Sequence, residues 1–235
     1  MSNFVHDTQK QAFYDAFNTF IFSGDTKILA KLISKYEFLK RTAHLPGDIV
    51  ELGVYKGSGM MTWLKMLNLT SVNQKHVFGF DLFDEEALLQ TLQGSQREVM
   101  DSLFKDRNFT QKDSYEEKLK SMLSDAGFER HELVKGNVLE TIPQFLNDYP
   151  GFRASVINFD LDVDEPTFFA LEQLWPRLVV GGIAIFDEYA LKEWDESNAV
   201  DRFCAEHKLE LKYTGYAAPT AFIIKEQYDT AFNTG

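Results

Sequence analysis

Apolar residues along this chain recur with two periods. Near its start they fall at helical spacing, first Phe13, Phe17 and Phe20, then Leu29, Leu32, Ile33, Tyr36 and Leu39, which predicts two amphipathic helices ahead of the core. From residue 48 onward, short apolar runs alternate with helical stretches. DIVEL, HVFGFDLF, HELVKG, SVINFDLD and GGIAIFDEY are separated by helical segments at 57–68, 114–126, 141–148 and 166–178, and a helix at 196–207 precedes ELKYTG and TAFIIKE. Apolar strands separated by helices are what a parallel sheet covered on both faces requires, because each crossover must return the chain to the same edge. The pattern predicts an α/β fold, doubly wound around a mostly parallel sheet. The final two strands have only the Gly215–Pro219 break between them, so they form an antiparallel pair. Without repeats or Pro/Gly/Ser linkers, residues 1–235 are expected to form one domain with 1–45 as a helical extension. The charged stretch 84–113, carrying Leu88, Leu92, Met100, Leu103 and Phe104, is too long for a plain connection. It has three readings: a lid, a packed surface helix or a dimer contact.

Composition narrows the class. With 24 Lys and Arg against 36 Asp and Glu, the chain has a formal net charge of −12, which opposes binding to nucleic acid or anionic membrane. Cys204 is the only cysteine, so neither an internal disulfide framework nor a cysteine zinc site is available, and it is read as a core thiol. Neither a signal-like start nor a long apolar span is present, which predicts a soluble cytoplasmic protein acting on a small molecule, with a homo-oligomer left open. The five histidines show no metal-binding or catalytic spacing.

In open parallel sheets ligands bind beyond the carboxyl ends of the strands, and there the candidate chemistry gathers. The first strand runs into Glu51-Leu52-Gly53-Val54-Tyr55-Lys56-Gly57-Ser58-Gly59 and then a helix, a turn where backbone can approach a ligand and free N–H groups await an anion. Tyr55 stands where a dinucleotide fingerprint would have its second glycine, and no phosphate-cradle motif occurs. Asp81 ends the second strand at the offset where an acid accepts hydrogen bonds from ribose hydroxyls. Asn137 and Val138, after the third strand, could border a purine, ahead of a helix expected near Pro143. The fourth strand ends in Asp160, Asp162, Asp164 and Glu165, and the fifth in Asp187 and Glu188. Carboxylates crowded at adjacent tips repel unless a cation neutralises them, and oxygen donors suit Mg²⁺ or a similar hard ion. Strand alternation predicts Asp160 and Asp162 on one side and Leu161 on the other. Asp164 and Glu165, next to Pro166, read instead as charges at a helix start.

Taken together, ELGVYKGSG, Asp81 and FDLDVDEPTFFALEQLWPRLVVGGIAIFDEY, with the downstream SNAVDRF, resemble class I S-adenosylmethionine-dependent methyltransferases, and within them the macrocin O-methyltransferase family of metal-dependent sugar O-methyltransferases. The resemblance implies a Rossmann-like methyltransferase fold with S-adenosylmethionine and a divalent ion as cofactors. It places Glu51 near the amino end of the cofactor, Gly53 and Gly57 with the intervening Val54 and Tyr55 and the adjoining Ser58 along its methionine and ribose, Asp81 on the ribose hydroxyls, and Asn137 and Val138 beside the adenine. Asp160, Asp187 and Glu188 match the metal ligands, with Asp160 also bordering the cofactor, and Asp162 matches the general base. Two positions depart from the family pattern: Leu161 stands where glycine is usual, and Glu188 where a second Asp is usual. The acceptor implied is a sugar or glycosylated metabolite, with a catechol or other vicinal diol as the rival acceptor and a non-catalytic cofactor-binding scaffold as the rival class.

Overall fold

In the computed structural model, residues 8–72, 74–92, 94–105 and 115–227 are described. Helices α1 (Thr8–Ile21) and α2 (Lys27–Thr42) precede β1 (Asp48–Leu52), α3 (Ser58–Leu69), β2 (Val77–Asp81), α4 (Glu85–Thr91), α5 (Gly94–Lys105), α6 (Tyr115–Asp125) and β3 (His131–Lys135). The second half runs α7 (Val138–Asp148), β4 (Ala154–Phe159), α8 (Asp164–Leu174) with a short 3₁₀ turn, β5 (Leu178–Phe186), α9 (Glu196–His207), β6 (Lys212–Tyr213) and β7 (Ala221–Ile224). The strands lie in the order β3-β2-β1-β4-β5-β7-β6. The first five are parallel, while β7 runs antiparallel to both β5 and β6. The predicted doubly wound sheet and its antiparallel end are therefore present.

Successive strand residues point to opposite faces, and this splits the core in two. Ile49, Val77, Val156, Ile183 and Ile185 pack with Phe38, Trp63, Leu67, Leu119 and Leu123 of α2, α3 and α6. Their neighbours Val50, Phe78, Phe80, Ile157, Phe159 and Phe186 pack with Ile142, Phe145, Leu171 and Phe203 of α7, α8 and α9. Cys204 is packed against this second cluster, and burial pushes its thiol up to about 11. Among the described residues, no helix is long and apolar enough to cross a membrane.

Two local expectations need correction. Helix α7 begins at Val138, well before Pro143, because the Asn137 side-chain oxygen accepts the Leu139 N–H at 3.0 Å. Asn137 and Glu140 make the spacing of a capping box, and Pro143 lies inside the helix. The stretch 84–113 folds as α4 and α5 up to Lys105; its remainder, 106–113, lies outside the described residues. The second correction concerns α2. An amphipathic helix ordinarily turns its apolar stripe inward, yet Leu29, Leu32, Ile33 and Tyr36 are 36–42% exposed while Ser34, Lys35, Phe38, Leu39 and Thr42 are buried. From Leu29 to Lys35 the helix has turned Lys31 and Lys35, not Leu29 and Leu32, towards the sheet.

Candidate active site

Strand order reverses between β1 and β4, since the chain fills the sheet outward from β1 to β3 and then returns to the other side. Such a reversal leaves a crevice at the carboxyl ends of the two strands. The backbone confirms how closely the tips approach. Gly53 has φ +86°, and a Cβ there would lie 1.9 Å from the Asp160 carbonyl oxygen. Only glycine tolerates both the left-handed conformation and this contact. Gly59, in the first turn of α3, plays a matching part: a Cβ there would stand 2.0 Å from Glu51 Oε1, so its absence lets the Glu51 carboxylate lie against a helix N-terminus, where negative charge is favoured.

Asp81 holds the turn between them. Its Oδ2 accepts the Val54 and Tyr55 N–H groups, both at 2.8 Å, and its Oδ1 accepts the Phe83 N–H at 2.8 Å. A carboxylate has about four acceptor positions, so capacity remains for a ligand hydroxyl. Val54 sends its side chain into the core, whereas Tyr55 is 41% exposed in a left-handed conformation. Gly57 caps α3, and Ser58 is its first residue. Hydrogen bonds to a charged group contribute about 1.5–3 kcal/mol each, so Asp81→Ala should lower the unfolding free energy by about 2 kcal/mol or more. Urea denaturation checks this, and an unmoved midpoint would show that the turn stands without it.

Glu51 is buried, and its Oε2 accepts from Lys35 Nζ at 3.1 Å. That ammonium also stacks 4.4 Å from the Trp63 ring centroid, so the carboxylate expected at the cofactor's amino end already has a cation from its own chain. Asn137 spends its side-chain oxygen capping α7, which leaves its NH₂ for other partners, and Val138 is buried in the core.

The acidic residues come together at the tips of β4 and β5. Asp160, Asp187 and Glu188 each offer a carboxylate oxygen within 4.8 Å of the others. Asp187 and Glu188 are buried; Asp187 Oδ2 faces the Lys31 ammonium, while Glu188 Oε2 makes no hydrogen bond among the described residues. Buried acceptors left without hydrogen bonds are costly, and three converging carboxylates suit a hard cation. Burial and the nearby Asp187 push Asp160 well above the usual carboxylate range, against the pull of Lys31. Burial, followed by Glu188 and Asp187, raises Asp162 to about 7.

The predicted strand alternation does not position Asp162, because β4 ends at Phe159. Instead Asp162 has φ +67°, a conformation rare outside glycine, while Leu161 packs against the core. Asp164 and Glu165 open α8 as helix-start charges, and Asp164 pairs with Arg202 at 2.9 Å. Arg202, in the SNAVDRF segment, also lies 3.9 Å from the Phe168 ring, so it ties α8 to α9 beside the centre.

Sequence reasoning missed two groups. Glu196, fully buried, accepts the Glu188 backbone N–H at 3.3 Å, and its Oε2 has no hydrogen bond among the described residues. Burial first, then Asp160, Asp162 and Asp187, holds it well above the usual range. An acid in the first turn of a helix reads as a helix-start charge, which conceals this role. The other group is the lysine row of α2. Lys27 Nζ lies 2.9 Å from Glu188 Oε1, and Lys31 Nζ lies 2.5 Å from Asp187 Oδ2 and 3.5 Å from Asp160 Oδ2. Their spacing of four residues, continued by Lys35, was a visible signal.

Residues 27–215 match the macrocin-O-methyltransferase (TylF) family. An 8-demethyl-8-(2,3-dimethoxy-alpha-L-rhamnosyl)-tetracenomycin-C 4'-O-methyltransferase of Streptomyces olivaceus is 32% identical over 152 residues, 63% of this chain and 54% of that protein. The match thus spans about half the length of that relative. Among solved structures, the calicheamicin methyltransferase CalS11 superposes with a TM-score of 0.70 at 24% identity, covering 94% of this chain and 95% of that one. The O-methyltransferase NovP gives 0.66 at 22%, covering 83% and 79%. At these identities the two likenesses establish the fold. The family match extends from the lysine row of α2 through the acidic cluster to the turn before the last strand, and on that extent the chain belongs to the macrocin O-methyltransferase family.

Proposed function

We propose that this protein is an S-adenosylmethionine-dependent and divalent-metal-dependent O-methyltransferase whose acceptor is a hydroxyl of a sugar or glycosylated metabolite. The observation that carries the reading is the juxtaposition, at one strand-order reversal, of the glycine turn after β1, whose Gly53 lies against the Asp160 backbone, and three carboxylate oxygens within 4.8 Å of one another. The sugar acceptor is supported by the Streptomyces olivaceus relative, whose name describes methylation at the 4' position of a rhamnosyl tetracenomycin.

The residues present fit both groups. Asp160, Asp187 and Glu188 would hold the ion. Gly53, Val54, Tyr55, Gly57 and Ser58 would pass backbone along the cofactor, with Asp81 on its ribose, Asn137 and Val138 at its base, and Glu51 with Lys35 at its amino-acid end. When bound, S-adenosylmethionine supplies an electrophilic methyl carbon, and the ion supplies a Lewis acid that orients the acceptor and makes its hydroxyl more acidic. The chain then has to align that hydroxyl and take its proton. Asp162 suits the proton, since its surroundings raise it to about 7 and a base poised near neutrality works best.

A screen of glycosylated and catechol acceptors with methyl-labelled cofactor tests the proposal. Label should pass to glycosylated acceptors in Mg²⁺ and fall by at least about 100-fold in EDTA, the scale of a lost Lewis acid worth several kcal/mol. Full transfer in EDTA would remove the metal from the mechanism. Transfer to catechols alone would change the acceptor class, and calorimetry showing no cofactor binding would leave a protein of another kind.

A further inference from the structure

Helix α2 carries Lys27, Lys31 and Lys35 at four-residue spacing, so their side chains share one face. They meet acids at the carboxyl ends of three neighbouring strands: Lys27 meets Glu188 after β5, Lys31 meets Asp187 after β5 and Asp160 after β4, and Lys35 meets Glu51 in β1. The helix therefore lies across the mouth of the acidic centre. Its two ends are held differently. Phe38 and Leu39 are packed into the core, with the Phe38 ring 5.3 Å from that of Phe222. Towards the start Ile28, Leu29, Leu32 and Ile33 are 36–51% exposed, and the ion pairs of Lys27 and Lys31 are the main polar ties to the sheet.

The ammonium groups rest on the same three residues that would ligate the ion. An ammonium beside a carboxylate competes with a cation for its negative charge and repels the incoming ion, and two lysine charges equal the charge of one divalent ion. We propose that Lys27 and Lys31 are positioning residues that stand in for the divalent ion, and that ion binding displaces them and releases the first half of α2 from the mouth of the centre. This rests on the metal-binding reading above. It assigns α2 a gating role: the ion that prepares the site also frees the acceptor's way in, while Phe38 and Leu39 hold the helix to the core.

The test is calorimetric titration of the metal-free, full-length protein with Mn²⁺, in wild type, Lys31→Met, Lys27→Met and Asp187→Asn, together with amide hydrogen exchange over residues 27–42 of the wild type. Removing a charge that lies within about 4 Å of the ligands should tighten Mn²⁺ binding about tenfold in Lys31→Met, and less in Lys27→Met. Adding Mn²⁺ to the wild type should speed exchange over 27–34 and leave 38–42 unchanged. Equal or weaker Mn²⁺ binding in both lysine variants, or slower exchange over 27–34, would overturn the proposal. Absence of Mn²⁺ uptake in wild type and lysine variants alike would overturn the metal reading itself, and uptake that survives Asp187→Asn would place the ion elsewhere and overturn both. The wild-type exchange measurement decides the matter even where a substitution impairs folding.

Discussion

Asp162→Asn is expected to lower methyl transfer by about 10²–10⁴-fold, the range for removal of a general base, while S-adenosylmethionine binds as in the wild type. The side chain keeps its shape but loses its capacity to take a proton. Two features of the position favour this role. Asp162 sits just past the end of β4 in a left-handed conformation, and backbone held in a sparsely populated region marks sites that the surrounding structure must fix in place. Among the described residues no hydrogen bond engages its carboxylate, whereas Asp160 and Glu188 each meet a lysine of α2. Single-turnover rates with labelled cofactor, paired with calorimetry, provide the check. An undiminished rate would pass the role of base to another group, and parallel loss of cofactor affinity would make Asp162 a binding residue.

Gly53→Ala should be the most disruptive small substitution at the site, costing about 2–5 kcal/mol. A left-handed non-glycine residue costs about 1–2 kcal/mol, and overpacking adds about 1–3 kcal/mol. The contact here is with backbone, 1.9 Å from the Asp160 carbonyl oxygen, so no side chain can rotate away. Gly53 N–H donates to Phe80 O and Asp160 N–H to Leu52 O, each at 2.9 Å. Relief of the clash would therefore have to separate the tips of β1 and β4 and move the first carboxylate of the cluster. Urea unfolding should show the loss, and Mn²⁺ affinity should fall with it. Gly24, where an added Cβ meets nothing within 4 Å, is the control, since Gly24→Ala should leave both unchanged. A Gly53→Ala protein as stable as the wild type would mean that the two tips can part without cost.

The acidic centre was legible because its members stand at the ends of two successive apolar runs, and strand ends of a parallel sheet are where ligands bind. Asp160, Asp187 and Glu188 needed only the parallel pairing of β4 with β5 to converge. The glycine turn was legible for a similar reason, as Gly53 follows directly on DIVEL. Asn137 was noticed as a possible ligand contact, but its capping of α7 was not, although Glu140 supplied the sign.

The alternation of apolar strands with helices determined the layered fold and the end of the sheet that carries the chemistry, because burial of those runs leaves few other arrangements. Local pattern could not determine which side of α2 faces the sheet. Periodicity shows that a helix has two faces, but the inward one depends on what lies opposite. Here that is a row of carboxylates, so the lysines turned in and Leu29, Leu32 and Ile33 turned out. The burial of Glu196 beside Glu188 likewise arose only from the packing of α9 against the strand ends, contacts between segments far apart in the chain that no local spacing encodes.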